Sequence, residues 1–182
     1  MLCQFTVKNF KSIRDEVTFD MQAAAISEHE DRIIIDKDEE KYLPVSAIYG
    51  PNGGGKSNVL AALHTLVAKV LRPLFATEDS EEKVLLQKKV IVEPFVFSES
   101  KDEPTEFELF FRTTVSEYRY ILYVKRDIVL YESLDRVKLE TGRKSALFTR
   151  DENGTVLKGA FAKLKVSDEL SRTLTLLSYL GI

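Results

Sequence analysis

The sequence predicts an α/β nucleus joined to an antiparallel β meander, and three observations predict it. A short apolar run at residues 45–49 leads through a glycine cluster into a helical pattern. The hydrophobic period then drops to two over much of residues 90–131. Beyond it, Asn153-Gly154 is a two-residue hairpin signal.

The elements follow in order. Phe5, Val7 and Phe10 alternate with Gln4, Thr6 and Lys8, the pattern of a half-buried strand. Lys11 to Glu16 are polar enough to turn, and Val17-Thr18-Phe19-Asp20 returns antiparallel. Residues 27–41 form an acidic connection broken by Ile33-Ile34-Ile35. Val45-Ser46-Ala47-Ile48-Tyr49 reads as a buried strand. From Lys56 onward Val59, Leu60, Leu63, Leu66, Val67, Val70 and Leu71 recur at spacings of three and four, a broad apolar helix face that Pro73 ends. Residues 78–88 are a charged surface helix or loop. The meander opens at Val90–Phe97 and continues through Glu106–Phe111, Tyr118–Val124 and Ile128–Tyr131. Residues 160–180 read as helical, with Leu164, Leu170, Leu174 and Leu177 as core contacts. The whole of 1–182 is expected to form one lobe, with the strand pair, loop strand and helix in 1–75 and an antiparallel β subdomain in 88–158.

Composition sets limits on function. With 182 residues, 44% of them hydrophobic and 30% charged, the chain can bury a core and is not disordered over most of its length. No run approaches the roughly 18 apolar residues of a membrane helix, and the start lacks a basic segment followed by an apolar one. Cys3 is the single cysteine, which excludes intrachain disulfides and cysteine-rich zinc sites and favours a cytoplasmic setting. Residues 1–118 hold 14 Lys and Arg against 21 Asp and Glu, while residues 119–182 hold 12 against 8. The basic last third suits a polyanion such as DNA, or is an ordinary solvated surface, since no dense basic run stands out.

One motif carries chemistry. Gly50-Pro51-Asn52-Gly53-Gly54-Gly55-Lys56-Ser57 fits G-x-x-x-x-G-K-[ST], the phosphate-binding loop. Glycines let successive N–H groups converge on one anion, and the following helix adds its unsatisfied N–H groups and positive dipole end. In that reading Gly53, Gly54 and Gly55 cradle the phosphates of ATP. Lys56 reaches the β- and γ-phosphates as the catalytic lysine, and the Ser57 hydroxyl is a ligand for Mg²⁺. The fold class becomes an α/β P-loop NTPase lobe combined with the meander. His29 and His64 have no partners in sequence that would make a metal pair or a triad.

Two stretches resemble the ABC-type ATPase heads that include the structural-maintenance-of-chromosomes proteins, the RecF-like repair ATPases and the overcoming-lysogenization-defect family. Phe5-Thr6-Val7-Lys8-Asn9-Phe10-Lys11-Ser12-Ile13 is similar to their opening strand and turn. Ile48-Tyr49-Gly50-Pro51-Asn52-Gly53-Gly54-Gly55-Lys56-Ser57-Asn58 is similar to their loop. Glu93-Pro94-Phe95, Glu103-Pro104-Thr105-Glu106-Phe107 and Tyr118-Arg119-Tyr120 further resemble a bacterial AAA-type subgroup of unassigned or anti-phage-defence ATPases. The resemblance implies that Lys11 and Ser12 lie near the nucleotide and that Arg14 approaches its base or ribose. Solvated turn charges are the other reading of Lys11 and Arg14. Asn52 and Asn58 match class positions too, and Asn58 equally suits a first-turn residue that satisfies local backbone donors.

A complete ATPase of this class also needs an acidic strand end for Mg²⁺ and water, and a serine-glycine signature motif. Ile33–Asp36 lies just before the loop strand, and Ile128–Glu132 sits in the antiparallel run, so both read as ordinary strands. Leu177-Ser178-Tyr179-Leu180-Gly181 is a poor match to the signature. The expectation is therefore an N-terminal lobe that binds Mg-ATP. It would hydrolyse ATP when completed by a C-terminal lobe, in a nucleotide-dependent homodimer serving DNA maintenance or phage defence. A GTPase or small-molecule kinase using the same loop is one alternative, though no Asn-Lys-x-Asp motif is present. A non-catalytic nucleic-acid or protein interaction module is the other.

Overall fold

The architecture is that of a computed structural model in which residues 1–26, 29–71, 90–97, 102–167 and 169–181 are described. Its frame is one seven-stranded sheet in the order β2-β1-β5-β6-β7-β8-β9, with every pairing antiparallel. The strands are β1 (Leu2–Lys8), β2 (Val17–Asp20), β5 (Thr105–Arg112), β6 (Ser116–Lys125), β7 (Ile128–Lys138), β8 (Lys144–Asp151) and β9 (Gly154–Leu157). A separate two-stranded ribbon pairs β3 (Ile34–Ile35) with β4 (Lys41–Tyr42). The expected first hairpin is present, with Phe5 opposite Phe19 and Val7 opposite Val17. β1 also pairs with β5, so the first hairpin and the meander are one continuous sheet.

Alternation decides which face is covered. Phe5 and Val7 on β1, Phe107 on β5, and Tyr120, Leu122 and Val124 on β6 are all buried on one side. Against that side lies α1 (Lys56–Leu71), which contributes Ala62 and Leu66. Burying each such large side chain is worth about 1.5–3 kcal/mol, so these contacts outweigh the helix's own propensity. Only part of the expected helix face is used. Leu60, Val67 and Leu71 are 59%, 41% and 39% exposed and form a second, bare stripe. Lys69 is buried and donates to the Asp127 carbonyl in the β6–β7 turn at 2.7 Å.

The acidic connection is tied down by a buried arginine. Arg112 donates to Asp38 at 2.7 Å, Asp36 at 3.3 Å and Glu117 at 2.7 Å, with its guanidinium over the Tyr42 ring. Burial opposes ionisation of Asp38, but the hydrogen bond and charge of Arg112 outweigh it and leave the carboxyl below its ordinary range. Asp36 is thus a structural anchor.

Three sequence expectations are corrected. Val45–Tyr49 is not a strand: Val45 is 76% and Tyr49 89% exposed, and the run pairs with nothing among the described residues. An apolar run becomes a buried strand only where neighbours satisfy its backbone groups and cover its faces. Val90–Phe97 is also not a strand and makes a single bridge, Val92 with Arg126. Pro94 lacks an N–H, and the polar groups on either side of it bond to the first turn instead. Among the described residues the tail is helical only at residues 159–161, a 3₁₀ turn, and in α2 (Leu176–Leu180). Pro73 and the charged stretch 78–88 lie outside the described residues.

The tail's conformation has an identifiable cause. Arg150, 2% exposed, donates to the carbonyls of Leu170, Ser171 and Leu174, so a guanidinium takes acceptors that a helix would use for its own N–H groups. Beside it Glu132, fully buried, accepts from Leu176 N at 2.6 Å, Leu177 N at 3.2 Å and the Tyr120 hydroxyl at 2.9 Å. Burial raises the Glu132 carboxyl above its ordinary range, against the pull of these donors and of Arg150. Burial likewise lowers Arg150, with Glu132 opposing. Glu132 therefore fastens α2 to the sheet, and Ile128–Glu132 is the meander strand the sequence indicated.

Candidate functional site

The glycine loop sits between the exposed run 45–49 and the start of α1. Gly53 and Gly55 have φ of +79° and +81°, conformations costly to any residue with a side chain. Gly54 N–H is taken by the Pro51 carbonyl at 3.2 Å, and the Asn58 and Val59 amides fold onto the Gly55 carbonyl. Among the described residues the N–H groups of Gly53, Gly55, Lys56 and Ser57 meet no backbone carbonyl. They are the orphan donors of a loop and a helix start, and their dipoles favour negative charge.

Lys56 curls back over this loop. Its Nζ donates to the Gly50 carbonyl at 2.8 Å and the Pro51 carbonyl at 2.7 Å. Those neutral acceptors hold an ammonium less strongly than a phosphate oxygen does, because the anion adds charge–charge attraction to the hydrogen bond. The same loop opens onto a cleft of about 660 Å³, within the range of small-molecule sites. It is lined by Gly50, Gly53, Gly54, Gly55 and Lys56 of the loop and, from elsewhere in the chain, by Ile13, Arg14, Val17 and Phe95 among others.

The other sequence-named residues fall into two groups. Ser12 lines the cleft, its Oγ accepting from Asn58 Nδ2 at 2.6 Å. A Cβ on Gly55 would come within 3.4 Å of the same oxygen, so the first turn of the chain is seated against the loop. Arg14 also lines the cleft, with its guanidinium held by both oxygens of Asp15. Lys11 turns away: its backbone N–H bonds the Glu93 carbonyl, and its Nζ lies 3.9 Å from Glu93 Oε2 and over the Phe10 ring. Asn52 and Ser57 are exposed and border the loop without lining the cleft.

A residue without an assigned role in the sequence reading proves central. Asn9 is 1% exposed with φ +55°; its Nδ2 donates to the Glu103 and Pro104 carbonyls, and its Oδ1 accepts from Phe95 N at 3.0 Å. Thr105 Oγ1 donates to its carbonyl at 2.6 Å. The only signal in sequence was an asparagine at the exit of a strand, the side chain that best tolerates a left-handed turn.

Among the described residues no group of three or more His, Cys, Asp or Glu gathers to hold a metal ion. The oxygen donor set on hand is the Ser57 hydroxyl. It suits Mg²⁺ bound mainly through phosphates and water rather than a protein cage. No helix of the described residues is long and apolar enough to cross a membrane, which says nothing of membrane-crossing strands.

A glycine loop entering a helix, with its lysine folded over it, defines a P-loop ATPase-type domain. The chain belongs to the family described as AAA domain, putative AbiEii toxin, Type IV TA system, whose match covers residues 45–176. That family supports nucleotide binding, ATP in particular, and its P-loop fold agrees coarsely with the described mix of sheet and helix. No curated protein matches the chain.

Proposed function

We propose that the chain binds Mg-ATP through Gly50–Ser57, as part of an ATPase of the structural-maintenance-of-chromosomes, RecF-like and overcoming-lysogenization-defect kind. The observation that carries the reading is the set of bonds Lys56 makes to the Gly50 and Pro51 carbonyls above amides that no other backbone group uses. On binding, the ammonium exchanges these carbonyls for the β- and γ-phosphates, and the N–H groups of Gly53 to Ser57, that of Gly54 once released by the Pro51 carbonyl, take the remaining oxygens. When Mg²⁺ is bound it neutralises charge on the transferred phosphate, and Ser57 holds it on the protein side. Ser12 and Asn58 keep the first turn against the loop and Arg14 lines the same cleft, while Lys11 and Asn52 are assigned to the nucleotide by the resemblance alone.

Hydrolysis in this reading takes a C-terminal lobe and a dimer partner, with DNA maintenance or phage defence as the setting. Two apolar features support a completing lobe: the exposed stripe Leu60, Val67 and Leu71 along α1, and the exposed run Val45–Tyr49 that leads into the loop. Calorimetric titration with Mg-ATP and Mg-GTP tests the reading. Binding is expected, with Lys56→Ala weakening ATP by about 1.5–3 kcal/mol, the scale of a charge-assisted hydrogen bond. Unchanged affinity in that variant contradicts it, and preference for GTP turns the assignment toward a GTPase.

A further inference from the structure

The face of the sheet turned away from α1 carries a cavity lined by no residue of the loop or of that helix. Consecutive residues on a strand point to opposite sides, so Arg119 faces away from Tyr120 and the core. Cross-strand pairing aligns Phe110, Arg119, Asp135 and Ala146 in one row over β5 to β8. Glu117, Val137 and Lys144 form the next row on the same side. Both rows line the cavity, which holds about 550 Å³, a volume ordinary for small-molecule sites.

The charges in these rows do not all pair with one another. Asp135 stands directly across from Arg119, yet Arg119 bonds Glu108 through Nε and lies over the Phe110 ring, 5.8 Å from its centroid. Glu117 is likewise taken, by Arg112 at 2.7 Å. Among the described residues the half-buried Asp135 carboxylate has no ion pair or hydrogen bond, and neither have the Lys144 ammonium and the Nη groups of Arg119. Val137, opposite Lys144, and Ala146, opposite Asp135, add apolar surface beside them.

A carboxylate drawn partly out of water gains from a counter-charge. A ligand bearing only an ammonium would also meet Lys144 and Arg119, and one bearing only a carboxylate would meet Asp135. A ligand bearing both, a short distance apart, complements every free charge. We propose that this cavity binds a small zwitterion, an α-amino acid with an apolar side chain. Its ammonium pairs with Asp135 and its carboxylate with Lys144 and the Arg119 Nη groups. Its side chain rests on Phe110, Val137 and Ala146. The site stands independently of the nucleotide reading.

NMR titration of the ¹⁵N-labelled full chain with L-leucine tests the site, with 3-methylbutylamine and 4-methylpentanoate as the single-charge analogues. The amides of Arg119, Asp135 and Lys144 are expected to shift along one saturable curve, with each analogue about tenfold weaker than leucine. Asp135→Asn is expected to weaken leucine about tenfold without weakening 4-methylpentanoate. Lys144→Gln is expected to weaken leucine about threefold without weakening the amine, since Arg119 remains. Thermal melts follow the folding of both variants, and the analogue comparison on the native chain decides alone if either is unfolded. No shift of these amides with L-leucine or L-phenylalanine overturns the zwitterion site. So does an analogue that binds as tightly as leucine, or native leucine affinity in both folded variants.

Discussion

Replacing Glu132 with alanine asks whether this carboxylate fastens the tail or belongs to a catalytic strand end. The side chain is fully buried and serves three donors, Leu176 N, Leu177 N and the Tyr120 hydroxyl, with Arg150 at 4.0 Å. Removing it strands donors that each cost about 1–3 kcal/mol when buried and unpaired. Arg150 keeps three carbonyl acceptors, which limits the damage on its side. The expected loss is about 3–5 kcal/mol, as for breaking a buried ion pair, against a typical total of about 5–15 kcal/mol. Urea unfolding followed by circular dichroism reads this as a lowered midpoint. A loss below about 1 kcal/mol refutes the reasoning. Glu132→Gln adds a pH arm. Because burial raises this carboxyl, the folded chain keeps a proton that the unfolded chain has released. Stability from this group is thus greatest at low pH and falls as pH rises from the ordinary glutamate range through the raised folded value. That slope should vanish in Glu132→Gln.

Three further outcomes are expected. Gly53→Ala and Gly55→Ala each force alanine into a left-handed conformation at about 1–2 kcal/mol. Both should weaken Mg-ATP binding in calorimetry to a similar extent, since a Cβ on Gly55 makes only ordinary contact with Ser12 Oγ at 3.4 Å and one on Gly53 faces open space. Arg112→Met should cost about 2 kcal/mol in urea unfolding, less than a fully buried pair because Asp38 and Glu117 keep partial exposure. The same variant should flatten the acid limb: the depressed Asp38 carboxyl stabilises the fold above the ordinary aspartate range, and this is lost as pH falls through its folded value.

The sheet was legible where side chains alternate and a partner strand is at hand. β1, β2, β5, β6 and β7 each carry that period, and their neighbours lie within the described chain. The β8–β9 hairpin was placed one residue late: Asp151 pairs with Gly154, so the loop is Glu152-Asn153. Val45–Tyr49 misled because apolarity signals a buried strand only if something covers it. Residues 90–97 and 160–175 misled for a different reason. Their backbone partners are side chains distant in sequence, Asn9 in one case and Arg150 in the other, and no local pattern announces such a bond. The loop itself was readable residue by residue, because its glycines and lysine are needed where they stand by local geometry. The cleft residues outside the loop were not, since the segment of Phe95 is held by Asn9 Oδ1 and Lys11 N, groups distant in sequence.

The most direct measurement is an amide-resolved NMR titration of the ¹⁵N-labelled chain with Mg-ATP. The account predicts that the N–H resonances of Gly53, Gly54, Gly55, Lys56 and Ser57 shift together along one saturable curve. If those five stay fixed while resonances elsewhere respond, the phosphates do not sit on the loop and the account is contradicted.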